Sequence, residues 1–189
     1  MNKILLIAFT VLTHTSFAQT SVEPQPIERK GFVFGLGLGA GALSLENNKS
    51  NSTTLSLSVP NIKVGYMITK SFALLATFPG AIYSYKGNDR GFEAFTLSGQ
   101  YWVTERYWVA CGMGLTFDAP AFYTIKDPAT AEFYTGFPAL LVATGYEIYR
   151  KGKFVLDIQY RFFYGQSNLS DGSVRTGISN MLLLGVNWY

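Results

Sequence analysis

Apolar and polar residues alternate along most of this chain. The pattern is plainest at 154–165, where Leu156, Ile158, Tyr160, Phe162 and Tyr164 share one parity and Asp157, Gln159 and Arg161 the other. A period of two puts successive side chains on opposite faces of a β-strand. Strong helical spacing is missing after the first residues, so aromatic and β-branched runs between polar breaks predict eight strands: 31–45, 54–68, 72–85, 92–103, 107–118, 135–149, 154–165 and 176–189. Each is about ten residues or longer, and a tilted strand crosses a bilayer in about 9–11.

The connections are expected to alternate in length. "ENNKSNST" (46–53), "KGNDRG" (86–91), 119–134 and "QSNLSDGSVR" (166–175) read as longer loops, and 69–71, 104–106 and 150–153 as tight turns. Short turns on one side and longer loops on the other mark an up-and-down outer-membrane barrel, with the turns in the periplasm. The expected fold is therefore all-β, an eight-stranded antiparallel transmembrane β-barrel. A soluble secreted lipocalin-like barrel is the alternative, because periodicity alone does not say which face points inward.

Phasing the strands from the tight turns places Ile62, Val64, Tyr66 and Ile68 outside, then Leu74, Phe78, Leu97, Tyr101, Val109, Cys111 and Met113. Lys63, Thr77, Thr96, Ser98, Gln100, Gly112 and Gly114 fall inside. Leu55 and Leu57 are out of phase with Ile62, which calls for a bulge near Pro60. In the last strand Leu182, Leu184, Val186 and Trp188 are expected outside and Asn180 inside. Two aromatic belts are expected at the bilayer interfaces. One contains Tyr66, Tyr101, Trp102, Tyr107, Trp108, Tyr146, Tyr149, Trp188 and Tyr189, the other Tyr83, Tyr85, Phe92, Phe117, Phe162 and Tyr164.

The stretch "GFVFGLGLGAGALSL" (31–45) contains a match to the dinucleotide pattern G-x-G-x-x-G/A. That motif needs a strand before it and a helix after it. Here the glycines at 35, 37, 39 and 41 keep strand spacing and end in a polar segment, so they are read as lumenal positions that leave room beside Lys63. Gly37→Leu is then expected to crowd the interior.

Composition narrows the function classes. A positive start, a short apolar run (Ile4–Leu12) and Ser16-Phe17-Ala18 read as a secretory signal peptide over 1–18. Residues 19–30 read as a periplasmic linker and 31–189 as the barrel domain. Setting Lys3 aside, 14 basic and 12 acidic residues leave a net charge of +2, too balanced to argue for nucleic acid. The sole histidine, His14, lies in the leader, which removes Ser-His and Cys-His catalysis and histidine metal sites from the exported chain. No catalytic residue, cofactor or metal is expected.

The signal peptide, eight strands, alternating connections and the terminal "LLLGVNWY" resemble the small eight-stranded outer-membrane barrels of the OmpX, OmpW and OmpA-barrel type. The resemblance implies contact with outer-membrane lipid and recognition of the last strand by the barrel-assembly machinery. One departure is visible: Trp188, not the terminal Tyr189, shares the parity of Leu182, Leu184 and Val186.

The candidate sites follow from the facing. Lys63, Gln100, Glu147, Asp157, Gln159, Arg161 and Asn180 are expected to form a polar network in the lumen, since buried charges are costly unless paired. Phe122, Tyr123, Phe133 and Tyr134, in the longest loop, are candidates for binding an extracellular partner. The expected role is non-catalytic, structural or surface-interacting. The alternative implied by the OmpW resemblance is a carrier or conduit for a small hydrophobic molecule.

Overall fold

The computed structural model describes residues 28–47, 50–85, 87–123 and 131–189. The expected signal peptide and most of the linker lie outside the described residues. Ten strand segments are present: β1 (Gly31–Asn47), β2 (Ser50–Leu57), β3 (Asn61–Thr69), β4 (Phe72–Phe78), β5 (Gly80–Tyr85), β6 (Asn88–Trp102), β7 (Tyr107–Pro120), β8 (Tyr134–Lys151), β9 (Phe154–Asn168) and β10 (Val174–Trp188). They form eight antiparallel staves. β10 pairs with β1 from Phe34–Trp188 to Glu46–Thr176, which closes the barrel and leaves no edge.

Two staves are each made of two segments. β2 and β3 both pair with β1, offset by one residue between Leu57 and Asn61. The inward parity accordingly switches from Ser56 and Ser58 to Asn61 and Lys63, as the expected bulge near Pro60 requires. β4 and β5 keep one unbroken register against β6. They part at Pro79, which has no N–H to give to the ladder, although its carbonyl still accepts from the Ala94 N–H at 2.9 Å.

The outward face is apolar and exposed, including Leu38, Val64, Leu74, Val142, Ile158 and Leu184, with Leu97 at 63% and Leu182 at 64% exposure. The inward face carries the buried polar residues. This inverts the arrangement of a soluble barrel. An exposed apolar surface of this extent, encircling the molecule, belongs against lipid, where it costs nothing to leave unburied by protein.

Two expectations about the ends of the staves are corrected. The segments 46–53 and 86–91 are mostly paired strand rather than loop: Glu46 pairs with Asn51 and Asn47 with Ser50, while Tyr83 pairs with Arg90 and Tyr85 with Asn88. Polar composition there marks strands that continue beyond the apolar band while keeping their backbone hydrogen-bonded. Of the expected long connections, 119–134 remains the longest, from the end of β7 to Tyr134. The aromatic belts are also thinner than expected. Trp102, Trp108 and Tyr189 point inward at the tight-turn end, and Tyr83 and Phe92 at the other. Ring size favours strands on either face, so aromatic content alone did not reveal the side.

Candidate functional site

The lumen is built in layers that can be followed along single strands. Going up β6 from its tight turn, the inward residues are Trp102, then Gln100, Ser98 and Thr96, then Ala94 and Phe92, then Arg90. Along β9 they are Val155, then Asp157, Gln159 and Arg161, then Phe163. The first apolar layer gathers Val33, Met67, Leu75, Trp102, Trp108 and Tyr189. The second gathers Leu43, Phe92, Phe163, Met181 and Leu183. Charged clusters lie at the two ends and a polar belt lies between the apolar layers.

At the tight-turn end Glu147 is fully buried and is the acceptor of the cluster. Arg29 Nη2 donates to both of its oxygens, at 3.1 and 3.2 Å, and to the Glu105 carbonyl at 2.5 Å. Arg150 Nε reaches Glu147 Oε2 at 2.7 Å and Trp102 Nε1 reaches Oε1 at 2.6 Å. The Tyr189 hydroxyl donates to Oε1 at 3.4 Å. The Arg29 guanidinium lies 4.6 Å from the Trp102 ring centre, which adds a cation–π contact. Arg29 thus reaches into the barrel from the segment expected to be linker.

In the central belt, Trp108 Nε1 donates to Asp157 Oδ2 at 3.0 Å and Gln159 Nε2 to Asp157 Oδ1 at 2.7 Å. Arg161 donates to Gln159 Oε1 at 3.2 Å and to Asn61 Oδ1. Lys63 Nζ donates to Gln100 Oε1 at 3.1 Å and sits 4.8 Å from the Trp108 ring centre. The hydroxyls of Thr77, Thr96 and Ser98 bond one another at 2.5, 2.9 and 3.2 Å. Glycine makes this belt possible at Gly35: a Cβ there would stand 2.5 Å from Lys63 Cε and 2.7 Å from Asn187 Oδ1. At Gly37 a Cβ would meet nothing closer than 3.8 Å, so the crowding expected at Gly37 is sharper at Gly35.

At the loop end Asp118, also fully buried, is held by two arginines. Arg90 Nε donates to Oδ1 at 2.9 Å and Arg175 Nη1 to Oδ2. The Tyr83 hydroxyl donates to Oδ1 at 2.8 Å and accepts from Arg175 at 2.7 Å. Arg90 Nη2 also donates to the carbonyls of Asp118 at 2.9 Å and Glu132 at 2.8 Å, tying the long connection to the barrel.

Of the expected lumenal residues, Lys63, Gln100, Glu147, Asp157, Gln159 and Arg161 all lie inside. Asn180 does not. It shares parity with Leu182, and its side chain accepts from the Tyr160 hydroxyl at 2.7 Å on the outer face. Its neighbours Ser179 and Met181 point inward, and strict alternation leaves Asn180 no other side. The buried amide of that strand is Asn187. The Asp118 cluster lies outside the expected network, because polar composition places Arg90 and Arg175 in loops. The signal for it is parity: Arg90 continues the inward parity of Gln100, and Asp118 that of Gly112.

The loop candidates divide. Phe122, Tyr123 and Phe133 are exposed. Phe122 and Tyr123 pack edge to face at 5.1 Å, and the Tyr123 hydroxyl donates to Asp89 Oδ2 at 3.0 Å. Local desolvation and then the Asp89 carboxylate push that phenol above its ordinary range. Tyr134 begins β8 and lies beneath the Arg90 guanidinium, 5.3 Å from its ring centre. Among the described residues no cluster of His, Cys, Asp or Glu has the makings of a metal site.

No family model matches the chain, and no curated protein matches it. Solved structures do. Neisserial surface protein A superposes with a TM-score of 0.59 at 21% identity, covering 84% of this chain and 96% of that one. Ail, the attachment invasion locus protein of Yersinia pestis, superposes with a TM-score of 0.53 at 13% identity, covering 84% of this chain and 99% of that one. The fold is that of the small eight-stranded outer-membrane barrels. At these identities the likeness concerns the fold, and function rests on the residues described above.

Proposed function

We propose that this chain is an integral outer-membrane protein with a non-catalytic role, a rigid barrel that holds a surface-interaction loop above the membrane. The observation that carries this reading is the packed lumen. Two buried carboxylates, Glu147 and Asp118, are each held by two arginines, and two apolar layers separate these clusters from the central belt. An eight-stranded barrel has room for its own side chains and little more. Side chains arranged this way oppose a continuous water path. The cleft at the loop end, lined by Leu45, Tyr83, Tyr85 and Arg175, measures about 90 Å³. Ligand pockets usually measure about 300–1,000 Å³, which counts against a carrier reading at that mouth.

Among the described residues, those offered to a partner flank the 119–134 connection: Phe122, Tyr123 and Phe133 are exposed, and Arg90 holds the Glu132 carbonyl beside them. Exposed aromatics on an anchored loop present large contact area at low ordering cost. On this reading the leader directs export and the last strand presents the assembly signal. Two measurements test the reading. In the membrane fraction, boiled and unboiled samples should migrate differently on a gel, and recovery only in the soluble fraction overturns the membrane assignment. A small hydrophobic fluorophore should show no saturable binding inside the barrel, and saturable binding quenched by Trp108 overturns the filled lumen and restores the carrier.

A further inference from the structure

Glu93 interrupts the apolar outer face. The inward residues of β6 carry even numbers, from Trp102 through Ala94 to Arg90, so Glu93 points outward with Phe95 and Leu97. It is half-buried even so. Glycine explains how. A Cβ on Gly80 would stand 2.7 Å from Glu93 Cγ, and one on Gly91 would strike Glu93 Oε1. The side chain lies flat along the wall, in a trough that these two glycines clear between β5 and β6.

Phenylalanine rings border the trough. Phe117 stands directly across from Glu93 on β7, and its ring centre is 5.7 Å from that of Phe133. Phe95 follows two residues down β6, with Phe78 packed edge-on against it at 5.2 Å. Phe78 and Phe133 are exposed.

The carboxylate has no counter-charge. Among the described residues Glu93 takes part in no hydrogen bond or ion pair. β6 is paired on both edges here, so its N–H groups belong to the ladder. Arg90 and Arg175 are turned inward on Asp118. Glu147 and Asp118 each have two arginines, whereas Glu93 is left against apolar side chains, where an unpaired carboxylate is unfavourable. Its level is informative. Glu93 is nine residues beyond Trp102 on β6, about 30 Å along the strand. At a tilt of about 40° that is about 23 Å up an apolar band about 25 Å tall, where the polar head of an amphiphile lies.

We propose that this trough binds the ammonium head of a membrane-borne amphiphile. Glu93 supplies the counter-charge, Phe117 and Phe133 offer ring faces to the cation, and the apolar tail descends over Phe95 and Leu97. A divalent metal ion would need several oxygen ligands, and among the described residues no cluster of metal-ligating side chains includes Glu93. The site is outside the lumen, so it is independent of how the interior is filled. It rests on the outer-membrane reading for the level of the lipid.

The full chain is refolded in a neutral detergent, verified as heat-modifiable, and titrated with trimethylammonium-diphenylhexatriene, an apolar rod with a quaternary ammonium end. Anisotropy should rise saturably, whereas the propionate analogue, the same rod with an anionic end, should not saturate. Glu93→Gln should weaken binding about ten-fold. Phe117→Leu should weaken it about three-fold. Both variants are first verified as heat-modifiable. Dodecyltrimethylammonium should displace the probe, and millimolar Mg²⁺ should not. Equal binding of the two analogues, no saturable phase, or unchanged affinity in either variant overturns the proposal. So does displacement by Mg²⁺, which would assign the carboxylate to a metal ion. A chain that never becomes heat-modifiable overturns the membrane reading itself, so the two failures are distinguishable.

Discussion

The two ends of the lumen solve one electrostatic problem with different materials. Asp118 is neutralised by Arg90 and Arg175 from β6 and β10, residues locked in the wall of the barrel. Glu147 is neutralised by Arg150, at the end of its own strand, and by Arg29, which precedes the first strand. Tyr189, at the other end of the chain, completes that cluster. The loop-end cluster is therefore part of the wall, whereas the tight-turn cluster draws partly on Arg29 and Tyr189, which lie outside the strands. A buried charge costs several kcal/mol unless its partners stay in place, so the mobility of the partners decides how much each carboxylate matters.

The largest expected effect is at the rigid end. Asp118→Ala removes the buried carboxylate that Arg90 and Arg175 share, and should cost about 3–5 kcal/mol, read by urea unfolding of the barrel in lipid vesicles. Glu147→Ala should cost less, about 2–3 kcal/mol, because Arg29 lies outside the strands and Arg150 at the end of one, positions where a freed guanidinium is closer to water than one inside the wall. A loss at Glu147 equal to or greater than that at Asp118 would break the comparison.

Smaller changes sharpen it. Arg29→Ala should cost about 1.5–3 kcal/mol, the range for hydrogen bonds to a charged group, because Glu147 keeps Arg150 and Trp102. The same variant should speed proteolysis of the N-terminal segment, while Arg175→Ala should leave that rate unchanged. Between the two ends, Gly35→Ala should cost about 1–3 kcal/mol through overpacking against Lys63. Gly37→Ala should fall within about 0.5 kcal/mol, the range of substitutions that meet no special feature. Equal effects at Gly35 and Gly37 would show that the belt is looser than the 2.5 Å approach to Lys63 Cε implies.

The same contrast explains what was legible in the sequence. Period-two alternation gave the staves, their facing and most of the central belt, because a side chain in a closed sheet has only two directions. It also located the bulge near Pro60, where the parity of Leu57 and Ile62 conflicts. It did not give the strand ends. Polar residues above the apolar band look like loop whether paired or not, so the sequence pattern does not distinguish Arg90 and Arg175, which lie in β6 and β10, from loop residues. Arg29 was illegible for a different reason: its contacts with Glu105 and Glu147 are 76 and 118 residues away, and no local pattern encodes them. Asn180 shows the converse. A polar residue on an outward position misleads when polarity is weighed above parity, and Tyr160 satisfies it outside.

A lumen packed shut passes no ions, and conductance across a planar bilayer tests this most directly. The refolded chain, shown by heat-modifiable mobility to be a formed barrel, should insert without producing steady ion current. A stable open channel in the unmodified chain would contradict the layered packing between Glu147 and Asp118.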